Sequence, residues 1–447
     1  MKRRRRICAG RDGAGALHGV VQKRGGAARM KPATLDRVID GAFFLTMPLM
    51  AWLAVFGHRG AVIVAGLPAL AIALRPEIWR EGLPLLAPSR VAAGSLPRAA
   101  VAALLFALWI AVTGFWSPTP GAWKLALAVA GFTLAGGALV HEASRAAAAR
   151  RRRIGVLFAG AVTAAAAVLL FEGLTGGALR ALVPPADQSP LRWKDTIALA
   201  RGVTFVAPLV FPAAAILFAL TDSRLLALVP LLLALLAAAQ FSVAANVVAI
   251  LFGLGAAALA LWRPRAVIIA LGALFIASLL AAPLFAFAPA DAVLSAESAL
   301  LPPSWAQRLN LWTEAGERIL GGCFLAGCGA DYARAWAAEG TMIDVPGSPV
   351  ALMEAPIHPH NLFLQIWLEL GIFGVLTMAG ALSFALRRLA SVGLQGVAFA
   401  AIAGAAAAAY ISFMLEASLW QAWRLAVLSL AAFGGTLSYS LNRSGLR

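Results

Sequence analysis

Three observations predict an all-α polytopic membrane protein. Of 447 residues, 61% are hydrophobic and 13% charged, with a mean hydropathy of +0.84, too apolar for a surface that water must wet. Apolar runs close to the roughly 20 residues a helix needs to cross the hydrocarbon layer recur along the whole chain. Many of the 37 lysines and arginines gather in the short segments between those runs, the pattern of cytoplasmic connections. The prior that length sets on soluble domain number does not apply to one membrane bundle.

Taken in order, hydropathy gives about twelve spans: 38–56, 60–74, 99–115, 122–140, 154–171, 203–220, 224–241, 243–262, 266–288, 361–385, 396–415 and 420–440. The second is short and ends at Arg75-Pro76. Arg75, Arg80, Arg90 and Arg98, then Arg145 and Arg150 to Arg153, Arg224, Arg263 and Arg265, Arg387 and Arg388, and Arg443 and Arg447 fall on one side if spans alternate. An even count puts both termini on that side, the cytoplasm. The chain then divides into a basic N-terminal tail (1–37), nine spans (38–288), a large outer loop (289–360), and three spans with a short cytoplasmic C-terminus (361–447). The first 30 residues lack an apolar core and do not read as a secretory signal. They are compatible with a basic tail on anionic lipid and equally with an over-extended frame whose true start is Met30.

A net charge of +17 would suit a nucleic-acid partner, but its confinement to span ends argues against one. Three cysteines occur. Cys8 lies in the tail; Cys323 and Cys328 lie in the outer loop, where a disulfide is permitted, although two small residues in a Gly-rich turn is the favoured reading. A lone C-x4-C is not a metal site. Trp116, Trp123, Trp193, Trp262, Trp305, Trp312, Trp367, Trp420 and Trp423 sit in loops or near span ends, and most read as an interfacial belt. The alanine runs 146–149 and 405–409 suggest close helix packing or a coding bias. No P-loop, dinucleotide fingerprint, internal repeat or paired-acid motif is present.

Chemistry concentrates in Ile357-His358-Pro359-His360-Asn361-Leu362, where two of five histidines stand as a polar loop re-enters an apolar span. Asn361 suits the N-cap of that span. Pro359 lacks a donor and biases His358 toward extended backbone, so the turn is stiff. Glu369 lies a little over two turns below Asn361, at a depth that is costly unless the carboxylate is paired. An imidazole with an ordinary pKa near 6.5 is the natural base near neutral pH; locally, His358 and His360 differ only in that Asn361 fixes the latter. Upstream, Arg308 precedes Trp312 by one helical turn, and guanidinium binds phosphate bidentately. Arg201-Gly202 opens another span on the same side, where Arg201 suits either a second phosphate contact or a snorkelling helix end.

The stretch His358-Pro359-His360-Asn361-Leu362-Phe363-Leu364-Gln365, followed by Glu369-Leu370-Gly371, resembles the signature of the O-antigen ligase and polymerase superfamily. Arg308, Trp312 and Gly327-Cys328-Gly329 resemble that family's preceding loop motif. The resemblance is specific over about residues 300–375. It implies a GT-C-like helical bundle with a large periplasmic loop, in the bacterial inner membrane. It also implies an inverting, metal-independent glycosyltransferase that needs no cofactor and moves a glycan from undecaprenyl pyrophosphate to an acceptor hydroxyl. His360 then corresponds to the general base and Arg308 to a pyrophosphate ligand, with His358, Asn361, Glu369 and Trp312 in support. The family's Ser-Arg pair is replaced here by Gln240-Phe241-Ser242-Val243; Arg201 stands in for the missing arginine. Lipid A–core (a ligase) and a second lipid-linked glycan (a polymerase) remain open as acceptors. A secondary transporter is the rival of another class; it would place ionisable groups at mid-membrane, where this sequence offers only Glu369 and Asn246.

Overall fold

The computed structural model describes residues 32–81, 98–183, 192–288, 302–355, 357–391, 395–416, 418 and 420–445. The expectations for residues 1–31, including Cys8 and Met30, for Arg90 and Arg447, and for the start of the outer loop (289–301) fall outside them. So do those for the side chains of Arg80, Arg98, Trp193, Arg388 and Arg443. Helices dominate, and the only strands among the described residues are β1 (Met342–Ile343) and β2 (Leu352–Met353). They pair antiparallel with Met342 opposite Met353.

Eight helices among the described residues are long and apolar enough to cross a membrane, or nine if Thr196–Val206 and Val210–Thr221, bent by 48°, form one crossing. Three shorter apolar helices, His58–Ala73, Val101–Thr113 and Arg224–Ala239, stand where the sequence places the second, third and seventh spans. At 1.5 Å per residue the 13 residues of Ala61–Ala73 reach about 20 Å, short of a hydrocarbon core of about 30 Å. Among the described residues, length and composition therefore mark eight or nine helices as crossings and leave these three short apolar helices outside that count. Arg201 lies inside the helix Arg192–Val206 rather than opening a span, and the bend follows at Pro208, which has no N–H to continue the ladder.

The main core is built where small residues let helices close on aromatic rings. Phe43 stacks on Phe433 at 5.3 Å between centroids, and Phe158 meets Phe433 edge-on at 5.9 Å. Ala244–Trp262 and Gly396–Leu415 pinch Phe211 between Gly253 and Gly404; a Cβ at Gly253 would lie 2.3 Å from its ring. The run 405–409 belongs to this packing, with Ala407 fully buried. The run 146–149 does not: it connects two helices and is largely exposed. At one end of the bundle Asp36, Asp40 and Glu142 meet Arg75, Arg150 and Arg153 in a network of ion pairs, three carboxylates against three guanidiniums.

A second core cluster carries the functional end. It joins Leu311, Trp312 and Trp336 of the loop to Phe363, Trp367 and Leu370 of the helix Leu362–Ser391. Here the expected interfacial belt is corrected. Trp312, Trp367 and Trp423 are only 4–6% exposed. Trp312 Nε1 donates to Pro359 O (2.9 Å) and Trp367 Nε1 to Leu279 O (2.6 Å), so both rings are internal struts. Trp116, Trp123 and Trp262 are exposed, as a belt requires.

Candidate functional site

The helix Leu362–Ser391 begins under a side-chain cap and is broken nine residues on. Asn361 Oδ1 accepts from Phe363 N (3.0 Å) and Leu364 N (3.3 Å), two of the donors a helix start leaves unpaired. At Gly371 the backbone turns to φ 59°, ψ −164°, a region essentially reserved for glycine. The freed carbonyls are taken from outside the helix: Cys328 N donates to Leu368 O, Gly329 N to Glu369 O, and Trp109 Nε1 to Leu370 O. Ile372 N in turn donates to Phe324 O. A hydrophobic run read as one span is thus a short half-helix locked to the loop 323–329.

Glu369 is the centre of that lock. It is fully buried and receives Asp331 N (2.7 Å), Ala333 N (3.4 Å), Gln365 Nε2 (3.0 Å) and Trp420 Nε1. Four donors from three segments satisfy a carboxylate that would otherwise be prohibitive at this depth. Its geometry is that of a clamp between the half-helix, the loop and the segment just before the helix Ala422–Gly445.

Just before Asn361 the histidines face each other, ring centroids 4.4 Å apart. His360 adopts φ 52°, a left-handed turn that histidine tolerates better than most residues. Its N–H donates to His358 Nδ1 (3.2 Å). The other His358 nitrogen, Nε2, faces the Gln421 amide nitrogen at 3.4 Å. Because Nδ1 accepts the His360 N–H, a neutral His358 carries its proton on Nε2 and keeps no free lone pair with which to take another. Nδ1 of His360 is buried without a hydrogen-bond partner, while the ring as a whole remains partly exposed. Burial first, then the Arg424, Arg201, Arg308 and Arg334 guanidiniums, pushes the His358 pKa down to about 3. Burial first, then His358 and the Arg308, Arg424 and Arg201 guanidiniums, holds His360 well below the usual histidine value.

The structure therefore gathers residues far apart in the chain. Arg308, on the helix Pro303–Arg318, is half-buried with its guanidinium 5.7 Å from the Trp305 ring centroid. It makes no ion pair with Glu314 or Glu317, and the carboxylate whose charge bears on it is Glu416. Arg201 is exposed, held by no hydrogen bond or ion pair among the described residues. It lines a cavity of about 410 Å3 with Arg59, Arg334, Asp331, His358 and Gln421. The carboxylate of Asp331 is already engaged by Arg334 (2.8 Å), so the cavity keeps an excess of positive charge. Gly202 sets Arg201 in place, because its bare Cα lets the helix press on Ala54 O, which a Cβ would approach to 2.0 Å. Among the described residues no three His, Cys, Asp or Glu side chains come together as a metal site would need.

Cys323 and Cys328 are joined as a disulfide, against the favoured sequence reading of two unpaired small residues. Backbone bonds at Cys328, Gly329 and Phe324 hold the broken half-helix, so the crosslink closes the loop that grips it. On the chain-entropy relation, a loop of about six residues contributes ~2 kcal/mol. Reduction, or Cys323→Ser with Cys328→Ser, is expected to lower the unfolding midpoint in detergent; an unchanged midpoint would show that the loop holds without it.

Arg424 and Gln421, which also border the histidines, escaped the sequence reading. Their one signal was Arg424 itself, a charge close to the start of an apolar run. Residues 208–379 match the family model described as O-antigen ligase, which covers the half-helix, both histidines and Arg308. No curated protein matches the chain. The match supports the O-antigen ligase and polymerase superfamily that the histidine and arginine motifs resemble.

Proposed function

With residues 208–379 matching the O-antigen ligase family, we propose that this multi-pass membrane protein is an inverting glycosyltransferase. It takes a glycan from undecaprenyl pyrophosphate and passes it to an acceptor hydroxyl on the periplasmic face of the inner membrane. The observation that carries the reading is the cavity in which His358, next to His360, meets Arg201, Arg59 and Arg334, with the Arg308 charge also bearing on His360. In this reading about twelve helices cross or enter the bilayer, both termini are cytoplasmic, and the loop 289–360 faces the periplasm.

Pyrophosphate is already a good leaving group, so Arg308 and Arg201 need only neutralise the charge that grows as it departs. His360 takes the proton of the acceptor hydroxyl; the acceptor oxygen attacks the anomeric carbon from the face opposite the leaving group. The bond from that carbon to the pyrophosphate oxygen breaks with its electron pair, releasing polyprenyl pyrophosphate and inverting the configuration. An anion between the arginines also cancels the field that depresses His360, raising its basicity when the donor is in place. The scheme calls for no metal, since the guanidiniums neutralise the leaving group.

Removing one charge-assisted phosphate contact is expected to lower kcat/KM about 10- to 100-fold in Arg308→Ala. Arg308→Lys recovers only part of it, since an ammonium lacks the bidentate fork. The functional test supplies a lipid-linked oligosaccharide to the purified protein with lipid A–core or a second lipid-linked glycan. Product on the first acceptor identifies a ligase, on the second a polymerase; product on neither with a matched glycan defeats the reading.

A further inference from the structure

Arg59 is a cation to which the transfer scheme gives no role. It stands in the short turn His58–Gly60, between the helices Leu49–Phe56 and Ala61–Ala73, and lies outside the matched residues 208–379. The turn is closed by Gly60 N donating to Gly57 O (2.7 Å) and pinned by the His58 ring, which meets Trp423 edge-on at 4.8 Å between centroids. The Arg59 guanidinium is exposed, with no hydrogen bond or ion pair among the described residues. It lines the same cavity of about 410 Å3 as Arg201, Arg334 and His358, a size within the range of small-ligand sites. Three guanidiniums there face one carboxylate, Asp331, and Arg334 engages it through Nε (2.8 Å). Both Nη groups of Arg334 stay unpaired among the described residues. Trp420 also lines the cavity. Indole is a donor only, so with Nε1 given to Glu369 the ring offers the cavity hydrocarbon alone.

Uncompensated guanidiniums beside a fixed indole suit a sugar that carries an anionic group, its C–H face on the ring and its charge on the arginines. Arg308 does not line this cavity. In an inverting displacement the acceptor and the leaving group stand on opposite faces of the reacting sugar, so the acceptor needs a place apart from Arg308. Arg201 is the member shared with the leaving pyrophosphate; Arg59 and Arg334 are left over. We propose that Arg59 and Arg334 hold an anionic group, a phosphate ester or a carboxylate, on the acceptor saccharide, and so select an acidic acceptor over a neutral one. Guanidinium presents parallel donors that match either group.

This assignment rests on the glycosyltransferase reading for the use made of the saccharide, but its affinity is measured without transfer. Wild type, Arg59→Gln, Arg59→Lys and Arg334→Gln receive a lipid-linked donor with lipid A–core in three forms: native, dephosphorylated and carboxyl-reduced. In wild type the acceptor KM is expected to rise about 10-fold when the group the arginines hold is removed, and the form that suffers names the group. Arg59→Gln should raise the KM of the native acceptor about 10-fold and erase most of that difference, because arginine and anion count only as a pair. Arg334→Gln should act in the same direction, and Arg59→Lys should keep part of the preference. Equal KM values for all three forms in wild type would overturn the proposal. So would Arg59→Gln raising the donor KM in place of the acceptor KM, which would give the arginine to the pyrophosphate. In parallel the soluble core oligosaccharide, native or stripped of both kinds of group, is titrated calorimetrically into the purified protein without donor. Tighter binding of the native form, lost in Arg59→Gln, sustains the anion site even in a protein that transfers no glycan, where the transfer reading alone falls. Equal binding of the two forms removes the site and leaves that reading standing wherever transfer is seen.

Discussion

Replacing His360 by alanine is expected to slow glycan transfer ~10²- to 10⁴-fold, the range a positioned general base supplies, with donor binding nearly intact. His358→Ala should cost less, because the Nδ1 lone pair of that ring is already engaged by the His360 N–H and the ring serves to hold the turn. The two variants separate roles that the local sequence leaves open. In the pH profile of kcat/KM for the wild type, the His360 pKa is held below the usual histidine value by burial and by the guanidiniums around it. A base with a depressed pKa stays deprotonated at lower pH, so the acid limb should fall below pH ~6.5. Initial rates in proteoliposomes with a labelled donor check both points; equal rates for His360→Ala and wild type would remove the proposed base.

The largest structural effect is expected at Gly371. Alanine there would need φ 59°, ψ −164°, and its Cβ would stand 2.4 Å from Leu325 O and 2.5 Å from Gly327 N. Backbone strain of up to about 3 kcal/mol adds to that clash, and relief requires the half-helix to part from the loop that carries the disulfide. Gly371→Ala should therefore lower folded yield and the unfolding midpoint in detergent, and shift exchange protection at 327–333. Gly380→Ala, in the same helix with nothing within 4 Å of its would-be Cβ, is the control and should behave as wild type. A Gly371→Ala protein as stable as the control would mean the break is not set by this glycine.

How much of this was legible follows from how local each signal is. The histidine turn, the Asn361 cap and the helical placement of Arg308 are written within a few residues of one another, so spacing and cap chemistry exposed them. The break at Gly371 is not local: Glu369-Leu370-Gly371 sits in an unbroken apolar run, and the freed carbonyls are taken up by the loop 323–329, some forty residues upstream, and by Trp109. Trp312 and Trp367 read as interfacial because hydropathy records where a residue falls along a span. Their burial depends on the loop folding back over them. Arg424 and Gln421 are about sixty residues beyond the histidines and meet them only through tertiary packing. The disulfide pairing likewise depends on the turn that brings two cysteine Cα atoms to 5.0 Å. Three short helices show the converse limit, since apolar content marks them as spans while length alone does not.

The most direct test of the central claim follows one turnover of a lipid-linked oligosaccharide carrying label in both the glycan and the polyprenyl chain, with EDTA present. Glycan appearing on the acceptor with inverted anomeric configuration, one for one with polyprenyl pyrophosphate, is the result expected of wild type, and neither product should form with His360→Ala. Movement of the intact lipid-linked glycan across the membrane, with the sugar–phosphate bond unbroken, would contradict the account and leave a transporter in its place.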